Sequence, residues 1–170
     1  MSDSAVDEAD LAVVAEQLGR APRGVLEVSA RCPSGHPCVV KTSPRLEDGT
    51  PFPTLYYVTC PRLTGAIGRV EASGVMRDMT RRLTDDPELA DSYQRAHDAY
   101  LADREAVAVV PEIAGITAGG MPSRVKCLHV LVAHSLARGP GTNPLGDEAL
   151  RLVGEWWRGT RCAADDAGKQ

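Results

Sequence analysis

Three stretches of β-forming residues follow one another between residues 25 and 59, and no helical pattern separates them. Residues 25–31 read VLEVSAR, residues 38–42 are rich in β-branched side chains, and residues 54–59 read TLYYVT. The longer connection contains Asp48-Gly49 and prolines, which favour a turn. Parallel neighbours would need a crossover, usually a helix, so these strands predict a small antiparallel sheet.

The remainder of the chain carries helical spacing of apolar residues. Capping residues and Gly or Pro breaks set the expected ends. The predicted helices run from Asp7 or Asp10 to Leu18, over residues 61–72 and 75–83, onward from Asp86-Pro87, over 122–137, and from Asp147 through Trp157. We therefore expect an α+β fold, in which a three-stranded antiparallel sheet in the N-terminal part packs against about five helices.

Length and composition are those of one ordinary globular domain. The chain has 170 residues, of which 43% are hydrophobic and 25% charged, enough to bury a core without disulfides. We expect one domain over residues 9–160, with flexible ends at 1–8 and 161–170.

The charge balance disfavours generic nucleic-acid binding. Nineteen Lys and Arg face 23 Asp and Glu, a net charge of −4, whereas polyanion binders carry excess positive charge. The arginines are clustered, so a local basic pocket that would suit a small anion is possible. A protein is the alternative partner. No apolar run is long enough for a membrane span, and the acidic start is unlike a secretory signal, so a cytoplasmic location is expected.

The cysteine count argues against a disulfide framework. The five cysteines are Cys32, Cys38, Cys60, Cys127 and Cys162, an odd number in a chain expected to stay in a reducing compartment. Three interpretations stay open: buried apolar thiols, metal ligands, or a nucleophile.

The first candidate site is the segment Cys32-Pro-Ser-Gly-His36-Pro-Cys38 between two predicted strands. A CPxG turn resembles a zinc knuckle, and Cys32, His36 or Cys38 could converge with Cys60 if the strand ends meet. The alternative is a β-turn stocked with Pro and Gly, in which the thiols are incidental.

The second candidate is the segment from Arg124 to His134, which is dense in catalytic residue types. On a regular helix Cys127 and His129 point in nearly opposite directions, and Cys127 and His134 share a face about 10 Å apart. Neither pair could then chelate one ion, and a partner such as Cys60 would be needed.

The same helical pattern predicts an anion pocket. Arg124, Cys127, Leu131, His134 and Arg138 would share one face, behind a loop containing Gly119-Gly120. Cationic side chains and backbone N–H groups favour an anion, with Arg62 and Lys126 as further cations. The alternative is a solvated charged face over a buried helix.

Asp147 allows two interpretations. It could serve as a general base or orient a histidine, but as the residue opening a predicted helix it more often acts as a cap. His97, on the inner stripe of its helix, is expected to be a core histidine.

Several strings resemble one bacterial family, domain of unknown function 501. The resemblance runs from about residue 17 to 157 and rests on LGRAPR (18–23), TPFPTLYYVTCP (50–61), GGMPSRVKCLH (119–129), Ala133-His134 and NPLGD (143–147). It implies that the segments holding Cys60, Cys127, His129 and His134 are shared, whereas the Cys32–Cys38 region is more variable. It implies no activity.

Two functional hypotheses follow. In the first, Cys60 and Cys127 bind a metal or act as thiolates, His129 or His134 completes the site, and the cations hold an anion. Zinc is the expected metal; an iron–sulfur cluster on Cys32, Cys38, Cys60 and Cys127 is the alternative.

In the second hypothesis the protein is a non-enzymatic adaptor, and the cluster only stabilises the fold. The exposure of the cluster distinguishes the two hypotheses. A cleft lined by Arg124, Cys127 and His134 beside Gly119-Gly120 favours an enzyme, and a sealed cluster favours an adaptor.

Overall fold

The computed structural model describes residues 6–158 and shows the predicted α+β fold. The predicted C-terminal tail and Cys162 lie outside the described residues. Three strands come first after a short N-terminal helix, and the other helices follow the sheet along the chain.

The sheet is antiparallel, in the order β1 (Val25–Arg31), β2 (Pro37–Thr42) and β3 (Tyr56–Val58). Its central strand is buried at every residue except Lys41, so both faces of the sheet are covered at this strand. Val39 belongs to the main hydrophobic core. Val40 points to the opposite face, where it lines a cavity beside Leu18.

Six α-helices lie within residues 6–158. They are α1 (Glu8–Leu18), α2 (Pro61–Ala72), α3 (Val75–Asp85), α4 (Pro87–Val107), α5 (Leu128–Arg138) and α6 (Pro144–Val153), with a short 3-10 turn at Pro111–Ile113. Asp7 caps α1 through the amide of Ala9, and Asp86 caps α4 through the amide of Leu89. These caps satisfy amides that the first helical turn leaves without partners.

Helix α5 forms the centre of the main core. It packs against α6 and against β3, and every residue from 130 to 135 is buried. A Cβ at Gly146 would overlap the backbone of Leu131. The glycine therefore permits the close approach of α6 to α5.

Three predicted boundaries of the last two helices are wrong. Helix α5 begins at Leu128 rather than 122, and α6 begins at Pro144 and ends at Val153 rather than running from Asp147 through Trp157. Asn143 is the true cap of α6, because its side chain accepts the amide of Gly146 at 3.0 Å. Asp147 lies one turn further on.

Candidate metal centre and anion groove

The segment before α5 forms a tight loop instead of a helical turn. The amide of Lys126 donates to the Gly119 carbonyl at 2.7 Å, and that of Arg124 donates to the Gly120 carbonyl at 3.0 Å. The hydroxyl of Thr80 in α3 accepts a hydrogen bond from the amide of Val125 at 3.0 Å. A helix that began at residue 122 would use the amides of Val125 and Lys126, and both have partners outside it.

Cys127 is consequently the residue before the helix, with an extended backbone (φ −151°, ψ 111°). The spacing of 100° per residue does not apply to it. Its Sγ lies 3.9 Å from Nδ1 of His129. The prediction that these two side chains point apart is therefore wrong, and it fails because the predicted helix start was wrong.

Glu71, in the last turn of α2, completes a three-residue group. Its Oε1 lies 3.0 Å from Nδ1 of His129 and accepts the amide of Leu128 at 2.8 Å. One ligand atom from each of Glu71, Cys127 and His129 lies within 4.8 Å of the others. All three side chains are half-buried, so the group reaches the surface.

The group is electrostatically coupled. The hydrogen bond with Cys127, reinforced by the carboxylate of Glu71, outweighs desolvation and raises the pKa of His129 to about 9. Desolvation raises the pKa of the Cys127 thiol, but hydrogen bonds from His129 and from the amide of Val130 outweigh it and lower that pKa below its ordinary value. Both shifts favour the charged forms, thiolate and imidazolium. Thiolate is the form of cysteine that binds metals, whereas a metal ion would have to displace a proton from His129.

The spacing of the three donors can be compared with that of a tetrahedral metal site. Zinc bonds to sulfur at about 2.3 Å and to nitrogen or oxygen at about 2.0–2.2 Å, which would place neighbouring ligand atoms about 3.4–3.6 Å apart. The observed distances of 3.9 Å (Cys127 Sγ to His129 Nδ1) and 3.0 Å (Glu71 Oε1 to the same nitrogen) lie on either side of that range. The third separation, between Glu71 and Cys127, is within 4.8 Å.

The other ring nitrogen of His129, Nε2, has a hydrogen-bond partner of its own. Nε2 lies 3.3 Å from the carbonyl oxygen of Thr64 in α2. Metal-binding histidines commonly donate their second N–H to a carbonyl or a carboxylate, which fixes the tautomer. In the neutral form of the ring, with Nε2 donating to Thr64, Nδ1 would carry the lone pair that a metal needs.

A groove of about 400 Å³ adjoins the group and shares Cys127 with it. Gly119, Gly120, Ser123, Arg124 and Lys126 also line it. Within residues 6–158, no carboxylate lies at ion-pair distance from Arg124 or Lys126. Both cations are exposed and available to an anion.

Gly120 has to be glycine for the loop to take this shape. Its φ is +94°, and a Cβ there would lie 2.8 Å from the carbonyl oxygen of Arg124. The first amide of α5 is occupied by Glu71. Any anion in the groove would therefore be held by Arg124 and Lys126 rather than by that amide.

His134 is separate from this site. It is fully buried, stacked against Tyr56 and edge-on to Tyr100, and its Nδ1 lies 3.3 Å from Nδ2 of Asn143. Burial lowers its pKa to about 4. The prediction that His134 shares a pocket-lining face with Arg124 and Cys127 is therefore wrong, because Leu131 and His134 are both buried in the core.

Asp147 also lies apart from the group. Its carboxylate accepts a hydrogen bond from the amide of Gly141 at 2.8 Å, and this bond closes the loop before α6. Arg62 donates to the carbonyl of Arg158 and does not line the groove. His97 is buried and hydrogen-bonded to Thr117 at 2.9 Å, as expected of a core histidine.

The other cysteines do not join Cys127. Cys32, Cys38 and Cys60 are all buried, and Sγ of Cys32 lies 2.9 Å from the hydroxyl of Ser34. Over residues 6–158, Glu71, Cys127 and His129 form the one group of three or more His, Cys, Asp or Glu donors that converges. The four thiolates needed for an iron–sulfur cluster are not assembled there.

A comparison with protein families decides the relationship of this chain. The model of the family described as "Protein of unknown function (DUF501)" matches residues 28–151. The chain belongs to the DUF501 family. In this DUF501 protein the matched region contains Glu71, Cys127 and His129, together with the whole lining of the groove.

Neither a curated protein nor a solved structure matches the chain. In the part of the chain that the structure describes, no helix combines the length and apolar character that crossing a membrane requires.

Proposed function

We propose that this DUF501 protein binds a divalent metal ion, zinc by preference, through Glu71, Cys127 and His129, and a small anion in the adjoining groove. The convergence of a carboxylate, a thiol and an imidazole, with the Thr64 carbonyl behind the imidazole, carries the proposal. Nothing in simple helix packing requires these three side chains to meet.

The donor set favours zinc among common metals. Mixed sulfur, nitrogen and oxygen ligands suit zinc, whereas magnesium and calcium select oxygen donors. Three protein ligands leave the fourth tetrahedral position for water or a ligand, which is the arrangement of catalytic rather than structural zinc. The partial exposure of the group gives that position access to solvent.

The groove supplies the second half of the proposal. Arg124 and Lys126 have no acidic partners in the described chain, and Cys127 lines the groove while belonging to the metal group. A phosphate-like anion held by the two cations would therefore lie beside the metal. The metal ion would add positive charge to the same place.

Zinc titration of the full chain tests the metal half. After chelator treatment, the protein should bind one zinc ion in competition with a chromophoric chelator. Cys127→Ser, His129→Gln and Glu71→Gln should each weaken binding by about 100-fold or more, because each removes or replaces a ligand. Cys60→Ala is the matched control, since it removes a thiol outside the group, and should bind as the wild type does.

An outcome without zinc binding would contradict the proposal. The same contacts would then only join α2 to the start of α5 through Glu71 and the amide of Leu128. That result would favour the adaptor hypothesis, in which the group is structural.

Phosphate binding tests the anion half. Inorganic phosphate added to the zinc-loaded protein should shift the amide resonances of residues 119–127. Arg124→Gln and Lys126→Gln should each weaken phosphate binding several-fold, and the effect should shrink with added salt. Arg77→Gln, an exposed arginine on α3, is the matched control. Equal binding by all three variants would rule out the groove.

A further inference from the structure

A second cavity, on the face of the sheet away from the main core, has the composition of a ligand site. It encloses about 230 Å³ between the end of α1, the 20–25 connection, the sheet and the loop of residues 43–53. Buried Val40 and Thr42 of β2 are among its lining residues. Its volume exceeds the ~150 Å³ of an apolar cavity that accepts a benzene ring.

The walls are apolar and remain accessible. Leu18, Pro22, Val25, Leu46, Phe52 and Tyr57 all line the cavity, and each is half-buried. The rings of Phe52 and Tyr57 lie 6.4 Å apart, tilted by 40°. An aromatic wall of this kind favours an aromatic guest, since ring pairs gain energy beyond the area they bury.

The loop over the cavity is held in place by specific bonds. The amide of Leu46 donates to the Thr50 carbonyl at 2.9 Å, and that of Phe52 donates to the Pro44 carbonyl at 2.8 Å. Gly24, at φ +63°, lets the Leu46 side chain approach to 3.0 Å of where a Cβ would stand. The cavity therefore has a fixed shape and is not a gap beneath a loose loop.

Positive charge lines the same cavity. Arg20 and Arg23 are both among its lining residues and both exposed. Arg23 pairs with Asp48 of the loop at 2.6 Å. Among residues 6–158, Arg20 donates to the neighbouring Ala21 carbonyl, and no carboxylate there pairs with it.

We propose that this cavity binds a small aromatic carboxylate, with the ring against Phe52 and Tyr57 and the carboxylate at Arg20. An apolar pocket with one convergent polar group is the usual form of a small-molecule site. An arginine at the edge supplies paired N–H donors that match a carboxylate. The site shares no residue with the proposed metal centre, so either proposal can fail alone.

Ligand titration followed by NMR tests this proposal on the full, wild-type chain. Phenylacetate should shift the amide resonances of Val40, Thr42 and Tyr57 in a saturable manner. Phenylacetamide, which has the same shape without the charge, should bind at least about fivefold more weakly. The signals of Cys127 and His129 should stay unchanged.

Two variants sharpen the test. Arg20→Gln should reduce phenylacetate affinity to that of phenylacetamide, while Arg69→Gln, on α2, should leave it unchanged. Leu46→Trp should fill the cavity and abolish binding. Absence of saturable shifts in the wild type, or equal affinity for the acid and the amide, would overturn the proposal.

Discussion

The two histidines of α5 lie in opposite environments. His129, in the first turn, is half-buried between Glu71, Cys127 and the Thr64 carbonyl, and its pKa is raised to about 9. His134, further along the helix, is sealed between two tyrosines, and its pKa is lowered to about 4. One helix therefore carries a histidine suited to binding and a histidine suited to packing. Residue type alone does not separate the two.

The largest expected difference is in the stability lost when each histidine ring is removed. His134→Ala should lower the free energy of unfolding by about 3–4 kcal/mol, because it leaves a cavity beside Tyr56 and Tyr100. His129→Ala should cost about 1 kcal/mol, because that ring is partly solvated. Urea unfolding in the presence of a chelator measures both. Equal costs would contradict the assignment of separate roles.

The pH dependence of stability should follow His134. Its pKa is about 4 in the folded protein and about 6.5 in the unfolded chain, so the unfolded chain binds the proton more tightly. The contribution of neutral His134 to the free energy of unfolding is fully present above pH 6.5. It is lost as the pH falls toward 4, and the total loss is about 3 kcal/mol.

His134→Gln is the variant that isolates this effect. It should flatten the loss of stability between pH 6.5 and 4 in urea unfolding, whatever its stability at pH 7. A slope unchanged in His134→Gln would show that other groups cause it.

The difference between two Glu71 variants should be the smallest of these effects on folding. Glu71→Ala leaves the amide of Leu128 without its acceptor and should cost about 1 kcal/mol, as for a lost helix cap. Glu71→Gln keeps an acceptor oxygen and should cost less. Urea unfolding of the metal-free variants measures the difference. Equal losses for Gln and Ala would mean that the carboxylate charge, rather than its hydrogen bond, stabilises the start of α5.

The fold was predictable because its signals are local. Turn residues near Asp48-Gly49, Asp86-Pro87 at the start of α4 and Gly19 after α1 act on neighbouring residues, and these boundaries agree with the structure. The start of α5 was not predictable in this way. It depends on Thr80 and on the carbonyl of Gly119, which compete for amides that a helix would use.

The candidate site was predictable only in part. Four of its residues stand out by residue type and by proximity in sequence: Arg124, Lys126, Cys127 and His129. Glu71 does not, because a glutamate near the end of a helix is ordinary and its partners lie far along the chain. The Thr64 carbonyl is a backbone group, which residue identity does not reveal.

X-ray absorption at the zinc edge tests the central claim most directly, because it identifies the donor atoms. The zinc-loaded full chain should show one sulfur at about 2.3 Å with nitrogen and oxygen neighbours at about 2.0–2.2 Å. Cys127→Ser should lose the sulfur signal, and Cys60→Ala should retain it. Three or four sulfur neighbours, or a sulfur signal that survives in Cys127→Ser, would contradict a centre built from Glu71, Cys127 and His129.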